Sequence, residues 1–181
     1  MTEKKYVGMQ KLSDSYIKLC EASTVKVSDV KIQSFDIENI YVQQILSALQ
    51  ESYGKLEIKV SFPVFIFLNT KYMPQAGVYS YDFIKNKLLL IGEVKESIYN
   101  IMQEVGESYE VVIPIFLNLI QALFLYKSKG YIRGIEEIGY ISGCFMERMK
   151  VRNRMEVPNQ EFAHEIGINI RKSLLIDVIA L

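Results

Sequence analysis

The chain has 181 residues, half of them hydrophobic and 23% charged, and its 21 Lys plus Arg balance 21 Asp plus Glu. This composition excludes a disordered chain and is that of one globular domain spanning residues 1–181, long enough to hold a core without disulfide or metal staples. Zero net charge excludes the basic excess of a dedicated nucleic-acid binder.

Residues 1–10 are polar and expected to be loose, and the opening MTEKKYVGMQKLSDS lacks the apolar core of a signal peptide, so a cytoplasmic location is expected. Ser13 is placed to cap a short helix with Tyr16, Leu19 and Cys20 inside, and Val25, Val27, Val30 and Ile32 alternate as in one or two short strands. Asp36 is the expected cap of a helix whose apolar stripe is Ile37, Tyr41, Ile45, Leu49 and Tyr53, with a left-handed Gly54 as its stop. Leu56, Ile58, Val60 and Phe62 then alternate as a half-buried strand that Pro63 interrupts, and Val64–Leu68 is apolar throughout, as in a strand covered on both faces. VYSYDF and KLLLI read as a hairpin turning at Lys85, Asn86 and Lys87, in a sheet of three or four strands.

After Gly92 the period turns helical. Val94, Ile98, Ile101, Met102 and Val105 form one stripe, closed by Gly106. The uncharged run Val111–Tyr126 is too short for the roughly 20 apolar residues of a membrane span. It is expected to be a central buried helix running from about residue 108 to 129, with Pro114 near its first turn. The next helix, YIRGIEEIGYISGCFMERMKV, carries Ile132, Ile135, Ile138, Phe145 and Met149 as its apolar face, and Gly139 and Gly143 are expected to admit the backbone of the buried helix. Beyond Pro158 come a short helix and an apolar tail, SLLIDVIAL, that fits either helix or strand and either completes the core or enters a partner. Because strands and helices run in blocks, the fold class is α+β: a small, mainly antiparallel sheet from the N-terminal half, packed against a C-terminal helical cluster with one central buried helix.

The side chains for several chemistries are missing. His164 is the one histidine, so neither HExxH nor a four-ligand Cys/His zinc site can be built, and there is no P-loop, GxGxxG or GxSxG. Cys20 and Cys144 read as buried free thiols. Cys144 with His164 is a nucleophile–base pair only if the fold brings them together, and Glu137, among apolar neighbours on its helix, is the candidate buried carboxylate. Arg148, Lys150, Arg152 and Arg154 form the candidate phosphate-contacting cluster, joined by Lys4, Lys5 and Lys11, though such a cluster is ordinarily a solvated helix end. Tyr79 and Tyr81 share one strand face, where aromatics stack bases or, more commonly, pack a core.

AGVYSYDFIKNKLLLI, VVIPIFLNLIQALFLYKS and IEEIGYISGCFME follow one another as hairpin, helix and helix. This order, over roughly residues 76–147, resembles the small cytosolic zincin metallopeptidases. In the best register Asn118, Leu119 and Ala122 stand where the His, Glu and His of HExxH would be, and Glu137 falls in the third-ligand region. The resemblance therefore implies a catalytically degenerate scaffold without zinc, and no catalytic residue carries across.

From these residues the expected function is a non-enzymatic interaction or regulatory protein, homodimeric and acting on a protein partner, with no cofactor, no metal and no membrane segment. The alternatives are nucleic-acid binding through Arg148–Arg154, the degenerate zincin-like scaffold, and an enzyme built on Glu137, Tyr and Lys.

Overall fold

The structure, a computed structural model, describes residues 33–56, 59–83, 85–104, 109–151, 154–156 and 159–181. The expected N-terminal helix and strands, Val105, Gly106, Arg152 and Pro158 lie outside these residues.

One sheet organises the described chain. Its strands are β1 (Gln33–Phe35), β2 (Ser61–Phe67), β3 (Gly77–Asp82), β4 (Lys87–Gly92), β5 (Val111–Asn118) and β6 (Ser173–Ala180). They lie in the order β1-β4-β3-β2-β5-β6, and every pairing is antiparallel. Helices α1 (Ile40–Gly54) and α4 (Gly130–Met149) cover one face around Phe65, Tyr79 and Ile113. Helices α2 (Glu96–Glu104) and α5 (Asn159–Glu165) cover the other around Ile66, Val112 and Phe116. The α+β class holds, with a six-stranded sheet in place of three or four. Burial on both faces is why VFIFL is apolar without alternation.

The largest departure from the sequence reading lies at residues 111–126. They do not form one buried helix. Val111–Asn118 is β5, and only Leu119–Tyr126 is helical (α3). Pro114 would stand inside a helix, where the missing N–H and the ring clash cost about 3 kcal/mol. The β-branched Val111, Val112, Ile113 and Ile115 favour a pleated strand instead. Asn118 then starts α3, its side chain accepting from the Gln121 N–H at 3.1 Å. The zincin-like register fails on the same ground: the first position of its metal-binding helix, Asn118, is the last residue of a strand.

Prolines inside a sheet need local relief from the ladder. The β2–β3 register begins at Val64, one residue after Pro63. The β2–β5 register passes from Pro63–Ile115 to Ile66–Val112, skipping Pro114. Pro63 thus lies inside β2 and does not end a preceding strand. The hairpin of β3 and β4 turns as expected, pairing Asp82 with Lys87, with Asn86 left-handed at the turn (φ 52°). Helix α1 is capped by Asn39, whose side chain accepts from the Tyr41 N–H at 2.9 Å. Asp36, the expected cap, pairs with Lys87 instead. Gly54 does not turn left-handed; the chain leaves α1 through Lys55 at φ −80°. The C-terminal tail completes the sheet as β6, burying Val178, Ile179 and Ala180.

Glycines divide α4 into two halves. A Cβ at Gly130 would lie 2.5 Å from the Ala122 carbonyl oxygen, and one at Gly134 would collide with Leu117. These glycines let α4 close onto β5 and α3. Gly139 and Gly143 have no such role, because a Cβ at either meets open space. The inner face of α4 is Ile138, Ile141 and Phe145, while Ile132 and Ile135 point outward. Gly130→Ala should cost about 3 kcal/mol, since rigid backbone would have to move. Gly54→Ala, into open space at a helix end, should gain up to about 1 kcal/mol. Urea unfolding of the two variants checks the contrast.

Candidate functional site

Glu137 is the most deeply engaged charged group on α4, 8% exposed. Its Oε1 accepts from the Val60 N–H at 2.9 Å, the Ser61 N–H at 2.9 Å and the Ser61 hydroxyl at 2.5 Å. Ser61 Oγ also lies 3.3 Å from the Tyr53 hydroxyl. Val60, just before β2, and Ser61, its first residue, thus present their donors to α4, and Glu137 satisfies them. Burial pushes the Glu137 carboxyl above its ordinary range, and the donors from Ser61 and Val60 only partly offset this. Burial likewise raises the Tyr53 phenol. With one oxygen taking three donors, this carboxylate is built to hold α4 on β2.

A cleft of about 270 Å³ opens between α1 and α4, lined by Ala48, Glu51, Ser52, Lys55, Cys144, Glu147 and Arg148. Arg148 donates to Glu51 across it. Cys144 is a half-buried free thiol, and its contact with the Tyr140 hydroxyl raises the Tyr140 phenol. Cys144 and His164 do not meet. The helix bearing Cys144 packs on one face of the sheet, and α5, bearing an exposed His164, packs on the other. His164 instead lies 3.5 Å from Glu165.

Members of the basic cluster have partners or backbone roles of their own. Arg148 is paired with Glu51, Arg154 with Asp177 at 3.5 Å, and Lys150 is the left-handed residue that ends α4. Arg152 lies outside the described residues. Tyr79 and Tyr81 are buried, Tyr79 edge-on to Phe35 and Phe67, so neither offers a stacking face. Among the described residues no group of three or more His, Cys, Asp or Glu is arranged to hold a metal ion. No helix among them is long and apolar enough to cross a membrane.

Sequence reasoning missed the outer surface of α3 and α4. Ile120, Leu123, Phe124, Tyr131, Ile132 and Ile135 are exposed there, Phe124 by 82%. The signal was present: α4 has two apolar stripes, and only one of them can face the sheet.

No protein-family model matches the chain, and no curated protein is similar to it in sequence. Its fold is similar to that of a protein assigned as a nitroreductase from Anabaena variabilis, with a TM-score of 0.64 at 14% identity over 84% of this chain. This chain spans 39% of that one. It is also similar to a chain of the E. coli microcin synthetase McbBCD complex, solved with truncated pro-MccB17 bound. There the TM-score is 0.58 at 13% identity, over 82% of this chain and 66% of the other. The shared property is the fold, and it is a fold that enzymes use. The expectation of a non-enzymatic regulatory protein is corrected on that finding.

Proposed function

We propose that this chain is a nitroreductase-like enzyme domain acting in a reduction or oxidation of a small organic group, as a subunit of a larger assembly. The observation that carries this reading is the fold likeness, which takes in 84% of the chain at a TM-score of 0.64. Chemistry supports it. Hydride and electron transfer are performed by organic cofactors, with the protein supplying binding, orientation and electrostatics. A protein of this kind therefore needs no histidine relay and no zinc cluster, and scarcity of imidazole and thiol does not count against it.

The α1–α4 cleft does not by itself fit such a cofactor. Ligand clefts usually hold roughly 300–1,000 Å³, and the α1–α4 cleft falls just below that range. Its Arg148 is already taken by Glu51, which leaves Lys55 as the remaining cation lining it. The rest of the site then comes from outside this cleft, from elsewhere in the full chain or from a second copy of it, both of which the purified protein supplies. This agrees with a chain that spans 39% of the nitroreductase it resembles, and with a second likeness found inside a multi-subunit enzyme. The half-buried free thiol Cys144 suits a reducing, cytoplasmic compartment.

Titration of the purified full chain with flavin mononucleotide, and separately with NADH, tests the reading through quenching of cofactor fluorescence. Saturable binding of either at micromolar concentration is expected. Fluorescence that stays at the free-cofactor level for both, with the protein folded by circular dichroism, would remove the proposal.

A further inference from the structure

We infer that Asp177 and the segment at Arg154 and Met155 guard the outer edge of β6, keeping the sheet closed to strands of a second copy of this chain. This rests on the hydrogen bonds of that edge and is independent of the redox reading above.

The strand itself creates the hazard. β6 ends the strand order, so its flank away from β5 is an edge of the sheet. It reads SLLIDVIA, and all but Ser173 and Asp177 are aliphatic. At about 3.4 Å per residue the edge is roughly 27 Å long. A long apolar edge strand is a template for pairing with another chain. Asp177 is the one charged residue in it, and it splits the run below the roughly six uncharged residues of a self-stacking segment.

Three features close this edge at one place. The first is a bulge. The β5–β6 register passes from Ile115–Asp177 to Phe116–Leu175, so Ile176 is an extra residue, which bends the strand and re-aims the side chain beside it. The second is cover. Helix α4 packs on one face of the sheet and α5 on the other, and the chain between them rounds the β6 edge. On its way Arg154 pairs antiparallel with Ile179, and the Met155 N–H donates to the Val178 carbonyl at 3.0 Å. The third is charge. The N–H and C=O of one residue in an antiparallel strand point to the same side. Val178, whose carbonyl takes Met155 from outside, therefore aims its N–H outward as well. Asp177 Oδ1 accepts that N–H at 3.0 Å, and Oδ2 lies 3.5 Å from Arg154 Nε. An incoming strand would need both polar groups of Val178, and both are taken.

The ion pair is placed for position more than for strength. The Arg154 side chain is 54% exposed, and a pair so open to water contributes little stability of its own. What it does is hold the crossing segment beside the carboxylate that occupies the edge.

Sedimentation equilibrium and amide hydrogen exchange on the full chain, well below its melting temperature, test the guard. Asp177→Val leaves β6 without a charge, and valine suits a strand, so the fold is kept. This variant should assemble to a weight-average mass at least roughly twice that of the unmodified chain. Its Met155 amide should exchange at least roughly ten-fold faster, as the crossing segment is displaced. Asp177→Lys loses the acceptor and repels Arg154, yet keeps a charge on the edge. Its Met155 amide should also exchange faster while its mass stays that of the unmodified chain, because a lysine on an edge blocks strand pairing. A valine variant of unmodified mass overturns the proposal, whatever its Met155 amide does. Assembly with the Met155 amide unchanged puts the contact elsewhere and overturns it as well. So does a lysine variant that assembles as far as the valine variant, since damage to the fold would then be the cause.

Discussion

Replacing Glu137 by alanine is expected to destabilise the protein by about 4 kcal/mol, the largest effect of any single polar substitution among the described residues. The carboxylate meets two backbone N–H groups and one hydroxyl where both Glu137 and Ser61 are buried. Each buried donor left without an acceptor costs about 1–3 kcal/mol. The Ser61 hydroxyl has the Tyr53 oxygen to turn to, 3.3 Å away, but among the described residues the N–H groups of Val60 and Ser61 donate only to the Glu137 carboxylate. Against a total stability of about 5–15 kcal/mol, the loss is a large fraction.

Glutamine at 137 separates the hydrogen bonds from the charge. It keeps an Oε1 acceptor for the three donors and gives up only the longer 3.2 Å bond that Oε2 accepts from the Val60 N–H. What it removes is the ionisation, and burial holds the Glu137 carboxyl above its ordinary 4.5. A group whose folded pKa is raised contributes stability that is complete below the unfolded pKa and is lost as pH rises through the folded value. The stability of the unmodified protein relative to Glu137→Gln should therefore be greatest near pH 4 and should decline towards neutrality. Urea unfolding of the pair across that range shows it. A difference that grows with pH would mean that the ionised form is the one the fold prefers.

A chain ending at Lys172 is expected not to fold. β6 pairs with β5 from Ser173 to Ala180, and Leu181 continues the pairing, exchanging hydrogen bonds with Val111 in both directions. Every residue of β5 is buried. Removing β6 would turn this strand into a long, flat apolar edge, the configuration that invites aggregation. Leu175, Val178, Ile179 and Ala180 would also leave the core. At about 1.5–3 kcal/mol for each large side chain, their loss alone rivals the whole stability of a domain. The truncated chain should show no cooperative thermal transition and should precipitate on expression. Ile179→Ala is a milder form of the same test and should cost about 2–5 kcal/mol while leaving a cooperative melt. A truncated chain that melts within a few degrees of the parent would show that β6 is an accessory.

The sequence made the local elements legible where one physical rule dominated. The stripe Ile45, Leu49 and Tyr53 is the inner face of α1, and Ile98, Ile101 and Met102 are that of α2, because burial of one helix face leaves a period near 3.6. The β3–β4 hairpin was readable from alternation and from the Lys-Asn-Lys turn. Residues 111–126 were misread because a continuous apolar run suits a strand buried on both faces as well as it suits a buried helix. The deciding signals were Pro114, the β-branched residues around it and Asn118 as a cap, each local and each present. The face of α4 was misassigned for a different reason. Ile132 and Ile135 are as apolar as Ile138 and Ile141, and periodicity cannot say which of two apolar stripes meets the sheet. Gly130 and Gly134 decide it through close approach to Ala122 and Leu117, a contact that exists only once the strand and α3 are in place.

The site was legible only in part. Glu137 stood out in the sequence as a carboxylate between isoleucines, but its partners at Val60 and Ser61 are some 76 residues away in the chain. The expectation of a regulatory protein followed from counting imidazoles and thiols. That count excludes an HExxH helix and a four-ligand Cys/His zinc site and has no bearing on chemistry carried by a bound cofactor.

Turnover is the most direct measurement. The purified full chain, given flavin, NADH or NADPH and a simple nitroarene such as 4-nitrobenzoate under anaerobic conditions, should oxidise the nicotinamide faster than the flavin-only blank, with matching loss of the nitro group. Nicotinamide oxidation no faster than the blank, from protein that is folded and has bound flavin, would contradict the enzyme reading.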